Sequence, residues 1–379
     1  MFDTQVCLVS AQAAPNLLPL LDEQLKPREV ILLVTEQMQD RAGYLQKVIT
    51  PLGIKVTMQP IEATGHFQQL QEQLELLIKN YPQGTVGLNV TGGTKWMAIS
   101  AQEVFRSRGQ PVFYVDIETD RVLFVDSEKP PLTLTTRIKL KSYLNAYGYD
   151  ILSEKTGASG LNTDQRDLCY YLVAFVDEWG SAIGQLNRLA SEAEQKKTLS
   201  ISLTLLEKPD PHLEALLTQC SGSEILTHHK DKRQIVFKSE KTRFFANGGW
   251  LEEYINGRLN ELKGEGILQD SSHLNLEIAS PKTTNEIDVA FLARNRLHLI
   301  ECKTRRLTGA QAGRAGTESL YKLDSLSDLG GLGTRSMLVS YRALGAADKQ
   351  RAKDLRIKVV EGAQLKDIKG ILKTWIFGY

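Results

Sequence analysis

Short apolar runs at 6–10, 29–35, 54–61, 85–90 and 111–117 alternate with helical periodicity at 17–25, 37–49, 67–79 and 97–107. Strand and helix alternating in this way predict a parallel sheet covered by helices on both faces. Ligands of such sheets bind outside the carboxyl ends of the strands, near the point where strand order reverses. Two turns fall there: Ser10-Ala11-Gln12 after the first strand, and Thr91-Gly92-Gly93-Thr94-Lys95 after the fourth.

The second turn has the chemistry of an anion cradle. Gly92 and Gly93 let backbone N–H groups approach an anion, and the following helix N-terminus adds favourable potential. The Thr91 and Thr94 hydroxyls and the Lys95 ammonium complete it. The pattern is neither the Walker loop nor the dinucleotide fingerprint, which argues against a nucleoside triphosphate or NAD. A purely structural role is the competing reading, with glycine at positive φ and Thr94 capping the helix.

Farther along, Asn285-Glu286-Ile287-Asp288-Val289-Ala290-Phe291-Leu292 and Leu297-His298-Leu299-Ile300-Glu301-Cys302-Lys303 flank a polar break at Arg294-Asn295-Arg296. Two strands joined by a tight turn bring Asp288 and Glu301 side by side at neighbouring strand ends. Glu301 and Lys303 share a face, roughly 6.6 Å apart at their α-carbons. The run 297–302 is too apolar for an exposed strand, and ionised groups ending a covered strand need compensation. Paired carboxylates of this kind suit Mg²⁺ or Mn²⁺, with a lysine to orient water and offset charge on a phosphate.

Between these anchors the pattern is less legible. Polar residues 153–162 read as a linker, and Thr163-Asp164-Gln165 caps a helix through 176. Helical patterns at 183–193 and 213–220 precede a small hairpin at 225–237. Helices followed by a hairpin suggest a winged-helix element, with a plain packing role preferred over contact with DNA.

Charge adds little: 46 Lys and Arg against 45 Asp and Glu leave a formal +1, so no global basic field advertises nucleic acid. Locally, Arg294, Arg296, Lys303, Arg305 and Arg306 gather around the acidic pair in sequence, and Lys238, Lys241 and Arg243 lie upstream; they are candidate phosphate contacts. Cys7, Cys169, Cys220 and Cys302 lack paired spacing and read as reduced core residues. Neither a leader nor an apolar run of membrane-spanning length is visible, so the chain is expected in the cytoplasm, away from membranes.

Asp288, Glu301 and Lys303, with the carboxylates thirteen residues apart, resemble the core of the PD-(D/E)xK nucleases, although Ile287 stands where that family usually has proline. A Rossmann-like amino-terminal domain bearing Thr-Gly-Gly-Thr-Lys ahead of that core resembles the CARF-domain nucleases of type III CRISPR defence. Trp250-Leu251-Glu252, Leu320-Tyr321-Lys322-Leu323 and Gly330-Gly331-Leu332 extend the likeness over nearly the whole chain. It implies a CARF sensor at 1–150, a helical or winged-helix-like connector at 151–243 and a restriction-endonuclease-like domain at 244–379.

The resemblance further implies a homodimer that binds cyclic oligoadenylate, specifically cyclic tetra-adenylate, between its sensors through Ser10, Gln12, Thr91, Gly92, Gly93, Thr94 and Lys95. The ring then licenses metal-dependent cutting of DNA or RNA. Asp288, Glu301 and the Cys302 carbonyl would hold Mg²⁺ or Mn²⁺, Lys303 would position the water, and Glu252 would be an additional ligand. For Glu252 an ordinary acidic first turn of a helix is an equal reading. Two alternatives stay open: a ligand-gated DNA-binding regulator with a degenerate nuclease domain, and ring cleavage in the sensor by Lys95 or Thr94.

Overall fold

A computed structural model describes residues 2–62, 67–125, 128–156, 160–268, 270–281, 283–305 and 312–378. The amino-terminal part runs β1 (Thr4–Leu8), α1 (Ala14–Leu21), β2 (Glu29–Val34), α2 (Gln39–Ile49), β3 (Lys55–Pro60), α3 (Phe67–Ile78), β4 (Val86–Asn89), α4 (Lys95–Ser107) and β5 (Val112–Asp116). Its sheet has the order β3-β2-β1-β4-β5, all parallel, so the order reverses between β1 and β4. Strands β6 (Arg121–Val125) and β7 (Leu132–Thr133) extend it antiparallel, and α5 (Leu140–Ala146) follows.

The next strand, β8 (Asp150–Thr156), lies partly where the polar pattern read as a linker. It is the outer strand of a second sheet, paired antiparallel with β12, and Leu152 is 56% exposed. Among its described side chains only Ile151 packs against a core, so the apolar alternation is too weak to mark the strand, which is why composition alone misplaced it.

Then come α6 (Thr163–Ala174), α7 (Gly180–Gln195), β9 (Ser200–Ser202), α8 (Leu213–Gly222), β10 (Leu226–His229), β11 (Gln234–Phe237) and α9 (Glu240–Phe244). The three strands form a small antiparallel sheet ordered β10-β11-β9, which with α7 and α8 gives a winged-helix-like unit. After a π-turn at Phe245–Gly249, the carboxy-terminal part runs α10 (Trp250–Gly264), β12 (His273–Ala279), β13 (Thr284–Ala293), β14 (Arg296–Lys303), α11 (Ala312–Ser327), β15 (Arg335–Ser340), α12 (Ala346–Asp354), β16 (Lys358–Glu361) and α13 (Ile368–Phe377). Its mixed sheet is ordered β16-β15-β14-β13-β12-β8, parallel only from β14 to β16.

Three apolar cores hold these layers. One joins α3 and α4 to the outer face of the first sheet. Another runs from Leu161 to Ile376, so the helices of the middle segment and the second sheet share it. The last packs α1, α2 and α5 against the other face of the second sheet. Alternation along β13 and β14 feeds both faces: Val289, Phe291, Ile300 and Cys302 enter the core with the middle helices, while Ala290, Leu292, Leu297 and Leu299 enter the last core with Leu320 and Leu323 of α11. By the same parity Asp288, Glu301 and Lys303 face α11. No described helix is long and apolar enough to cross a membrane.

Candidate active site and ligand cradle

The β13–β14 turn is made by Arg294 and Asn295, both left-handed, the backbone that a two-residue hairpin demands. Pairing of Val289 with Ile300 then sets Asp288 opposite Glu301, where the ladder ends. The Cys302 N–H donates to Asp288 Oδ2 at 2.7 Å. Because N–H and carbonyl of one strand residue point to the same side, the Cys302 carbonyl is on the Asp288 edge as well.

Asp288 is 9% exposed and Glu301 3%. Lys303 Nζ donates to Glu301 Oε1 at 2.6 Å and lies 3.8 Å from Asp288 Oδ2. A second lysine, Lys322 on α11, donates to Glu301 Oε2 at 2.7 Å and approaches Asp288 Oδ1 at 3.9 Å. Two buried carboxylates are thus matched by two ammonium groups. Burial, then the Glu301 charge, raises the Asp288 carboxyl from 3.8 to about 6, against the pull of Lys303, Lys322 and the Cys302 N–H. Burial works against the Lys303 ammonium, but Glu301 and Asp288 outweigh it and its pKa rises.

Glu252 enters from the first turn of α10, and its Oε2 is buried without a hydrogen-bond partner. Burial and then the Asp288 charge push its carboxyl well above the usual range. Gly248 makes this approach possible: its φ is +117°, and a β-carbon there would lie 2.4 Å from Thr304 Oγ1. Asp288, Glu301, Lys303, Glu252 and Lys322 all line one cleft of about 600 Å³.

Among the described residues no three His, Cys, Asp or Glu side chains already form a metal cage. The donors nevertheless suit a hard divalent cation, since Asp288 and Glu301 present oxygens needing positive charge and Glu252 holds an unpartnered one.

The basic residues divide differently from their order in sequence. Arg296 is buried at the far end of the hairpin, donating to the Glu118 carbonyl at 2.5 Å, and Arg294 belongs to the same turn, so neither surrounds the acidic pair. Arg243 is buried and paired with Glu240 and Glu194. Arg305 donates to Asn247 at 3.0 Å and lines the cleft. Arg306 lies outside the described residues. The sequence pattern gives Lys322 no role, because only tertiary packing brings α11 over the Glu301 face.

In the amino-terminal domain the two turns meet. A β-carbon on Gly92 would lie 2.0 Å from the Leu8 carbonyl oxygen and 3.4 Å from Ser10 Oγ, so this approach requires glycine. The Thr91 hydroxyl donates to Asn89 Oδ1 and accepts from the Val115 N–H, each at 2.7 Å. Thr94 caps α4 by accepting from the Met97 N–H. Gly93 has φ +72°, and Lys95 is exposed. Gln12 reaches away from the cradle, its side-chain oxygen accepting from the Leu332 N–H at 3.0 Å.

Residues 4–143 match the family model of the Card1 CARF domain, and residues 238–379 match that of the Card1-like endonuclease domain. The chain is a CARF-domain nuclease. Endonuclease domains of this kind generally work with a divalent metal. Among solved structures, VC1899 from Vibrio cholerae superposes with a TM-score of 0.87 at 27% identity over 98% of this chain and 97% of that one. Can2 from Sulfobacillus thermosulfidooxidans, solved with cyclic tetra-adenylate, gives 0.82 at 28% over 99% and 98%. A type III CRISPR defence DNA nuclease activated by cyclic oligoadenylate shares the fold at 0.54 and 20% identity, over 91% of this chain and 46% of that one. No curated protein matches the chain in sequence.

Proposed function

We propose that this CARF nuclease is a metal-dependent phosphodiesterase of type III CRISPR defence, switched on by cyclic tetra-adenylate held between the sensors of a homodimer. The observation that carries the reading is the convergence of Asp288, Glu301, Lys303 and Lys322 in one cleft of the endonuclease domain. The likeness to ring-bound Can2 supports the activator.

Asp288, Glu301, the Cys302 carbonyl and Glu252 would hold Mg²⁺ or Mn²⁺. Such a cation would lend charge to the phosphate oxygens and acidity to the attacking water. Lys303 orients that water for in-line attack on the phosphodiester. Lys322, on the other side of Glu301, offsets charge on the phosphate as the leaving oxygen departs. Residues 1–150 act as sensor, 151–243 as connector apart from β8, which adds the outer strand of the nuclease sheet, and 244–379 as nuclease.

Ser10, the Gly92-Gly93 backbone and Lys95 are the parts of the cradle offered to the ring, with Thr91 and Thr94 shaping it and Gln12 linking it to the nuclease. Ile99, one turn beyond Lys95 on α4, is 58% exposed, which supports self-association over the cradle. A regulator that reads DNA through α8 is disfavoured, since the exposed Glu214, Ala215, Thr218 and Gln219 give that helix no basic face.

The test is incubation of the protein with Mn²⁺ and plasmid or single strands, with and without cyclic tetra-adenylate, alongside calorimetry. Ring-dependent cutting at one ring per two chains is expected. Cutting indifferent to the ring, or one ring per chain, would count against the shared-pocket reading.

A further inference from the structure

Of the buried residues of the connector helix α7, Asn187 alone is polar; it is 1% exposed among Ile183, Leu186, Leu189 and Ala190. An apolar side chain would fill this place more favourably, since a buried amide needs partners for both of its ends. The surroundings assign its orientation: Nδ2 donates to the carbonyls of Ala246 at 2.9 Å and Ile183 at 3.3 Å, and Oδ1 accepts from the Thr304 hydroxyl at 2.7 Å. The reverse orientation would set the oxygen against two carbonyl oxygens.

Both partners outside α7 belong to segments that build the catalytic cleft. Thr304 directly follows Lys303 and is 4% exposed; by the alternation of β14 it faces α7 while Lys303 faces α11. Ala246 lies in the π-turn that leads into the first turn of α10, where Glu252 stands. The same turn sets Gly248 so close to Thr304 Oγ1 that no side chain fits between them. Further ties run along α7. Arg243, just ahead of the π-turn and 8% exposed, pairs with Glu194 at 3.2 Å. Where α7 begins, Arg342 donates to the Gly180 carbonyl at 3.0 Å, and the N–H of neighbouring Tyr341 donates to the Lys303 carbonyl at 2.8 Å. One connector helix thus fastens both the Lys303 side and the Glu252 side of the cleft.

We propose that Asn187 is a positioning residue of the nuclease: its amide bolts the end of β14 to the π-turn, and so fixes the spacing between the Asp288, Glu301 and Lys303 edge and Glu252 across the metal site. The connector thereby takes a part in the active site. Two carbonyls need a donor and one hydroxyl needs an acceptor, and a side-chain amide supplies both from adjacent atoms. Groups in this outer position act through the ligands they hold, and their loss weakens metal binding or activity about 10–100-fold. The inference rests on the nuclease reading above.

Substrate-free protein saturated with cyclic tetra-adenylate would be titrated with Mn²⁺ by calorimetry, and cleavage of a single strand measured at saturating Mn²⁺. Asn187→Leu should raise the Mn²⁺ dissociation constant about tenfold and lower kcat by a similar factor, with KM for the strand and the ring midpoint unchanged. Thr304→Val keeps the shape but loses the hydroxyl, and should shift both quantities the same way by less. Thr304→Ser keeps the hydroxyl and should match wild type. Should Asn187→Leu fail to fold, the two Thr304 variants decide by themselves. Wild-type Mn²⁺ affinity and kcat in folded Asn187→Leu, or in Thr304→Val, overturn the positioning role whatever the melting temperature, and leave the nuclease standing. A wild-type protein that neither binds Mn²⁺ nor cuts removes the nuclease reading and this inference with it.

Discussion

The side-chain oxygen of Gln12 accepts a hydrogen bond from the Leu332 N–H at 3.0 Å, joining positions 320 residues apart. Gln12 follows the first sensor strand beside the proposed ligand cradle, and Leu332 lies in the turn that follows α11, the helix bearing Lys322. Close by, Tyr143 donates to the Gly330 carbonyl at 2.6 Å, and Asn295 at the hairpin tip accepts from the Ile138 N–H at 3.0 Å. The sensor therefore grips both the helix and the hairpin that build the nuclease site. A ligand acts through such a contact only as far as it favours one arrangement over another.

Gln12→Ala should uncouple rather than unload. Removing one hydrogen bond of about 1 kcal/mol predicts a stimulated rate lower by roughly fivefold. Ring affinity by calorimetry should change less than the rate. Equal loss of both would make Gln12 a ligand contact instead.

Asp288→Ala, Glu301→Ala and Lys303→Ala should each lower cleavage by roughly 10²-fold or more while ring binding persists. Lys322→Ala should fall between these and wild type, because Lys303 still holds Glu301. A Lys322→Ala protein cutting at the full rate would confine Lys322 to charge balance in the metal-free site.

In the proposed dimer, Lys95→Ala removes one exposed charge from each half of the cradle. A charge-assisted contact of roughly 1.5–3 kcal/mol predicts a large rise in the ring concentration needed, with near-normal cutting at saturation. Dose–response curves decide it, since an unchanged midpoint takes Lys95 out of the ligand site.

The Asp288 carboxyl binds its proton more tightly in the folded chain than in the unfolded one, with its pKa raised from 3.8 to about 6. Its contribution is therefore favourable below 3.8 and turns unfavourable as pH rises through about 6. Metal-free Asp288→Asn should melt a few degrees above wild type at pH 7.5, and the gap should close by pH 4. Thermal melts in EDTA at both values check the sign; a gap independent of pH would mean that packing, not ionisation, sets it.

Some features followed from the chain by itself. Apolar runs alternating with helical patterning placed the parallel strands of the sensor, because β1, β2 and β4 are buried along their lengths and read as apolar runs. The close turn after β4 followed from its two glycines, and the juxtaposition of Asp288, Glu301 and Lys303 from a backbone pleat and a tight turn, which are local and bring them together without further information. Other features only the tertiary structure decided. Among its described side chains strand β8 sets only Ile151 against a core, so its place in the second sheet depends on β12. Arg296 and Lys303 close the same strand at opposite ends, and only the packing of the hairpin tip against Glu118 shows that one braces the sensor while the other serves the site. Lys322, Phe244 and Asn275 sit on three elements far apart in sequence. Their convergence on the acidic pair is a matter of how α11, α9 and β12 pack around one sheet, and no local pattern carries it.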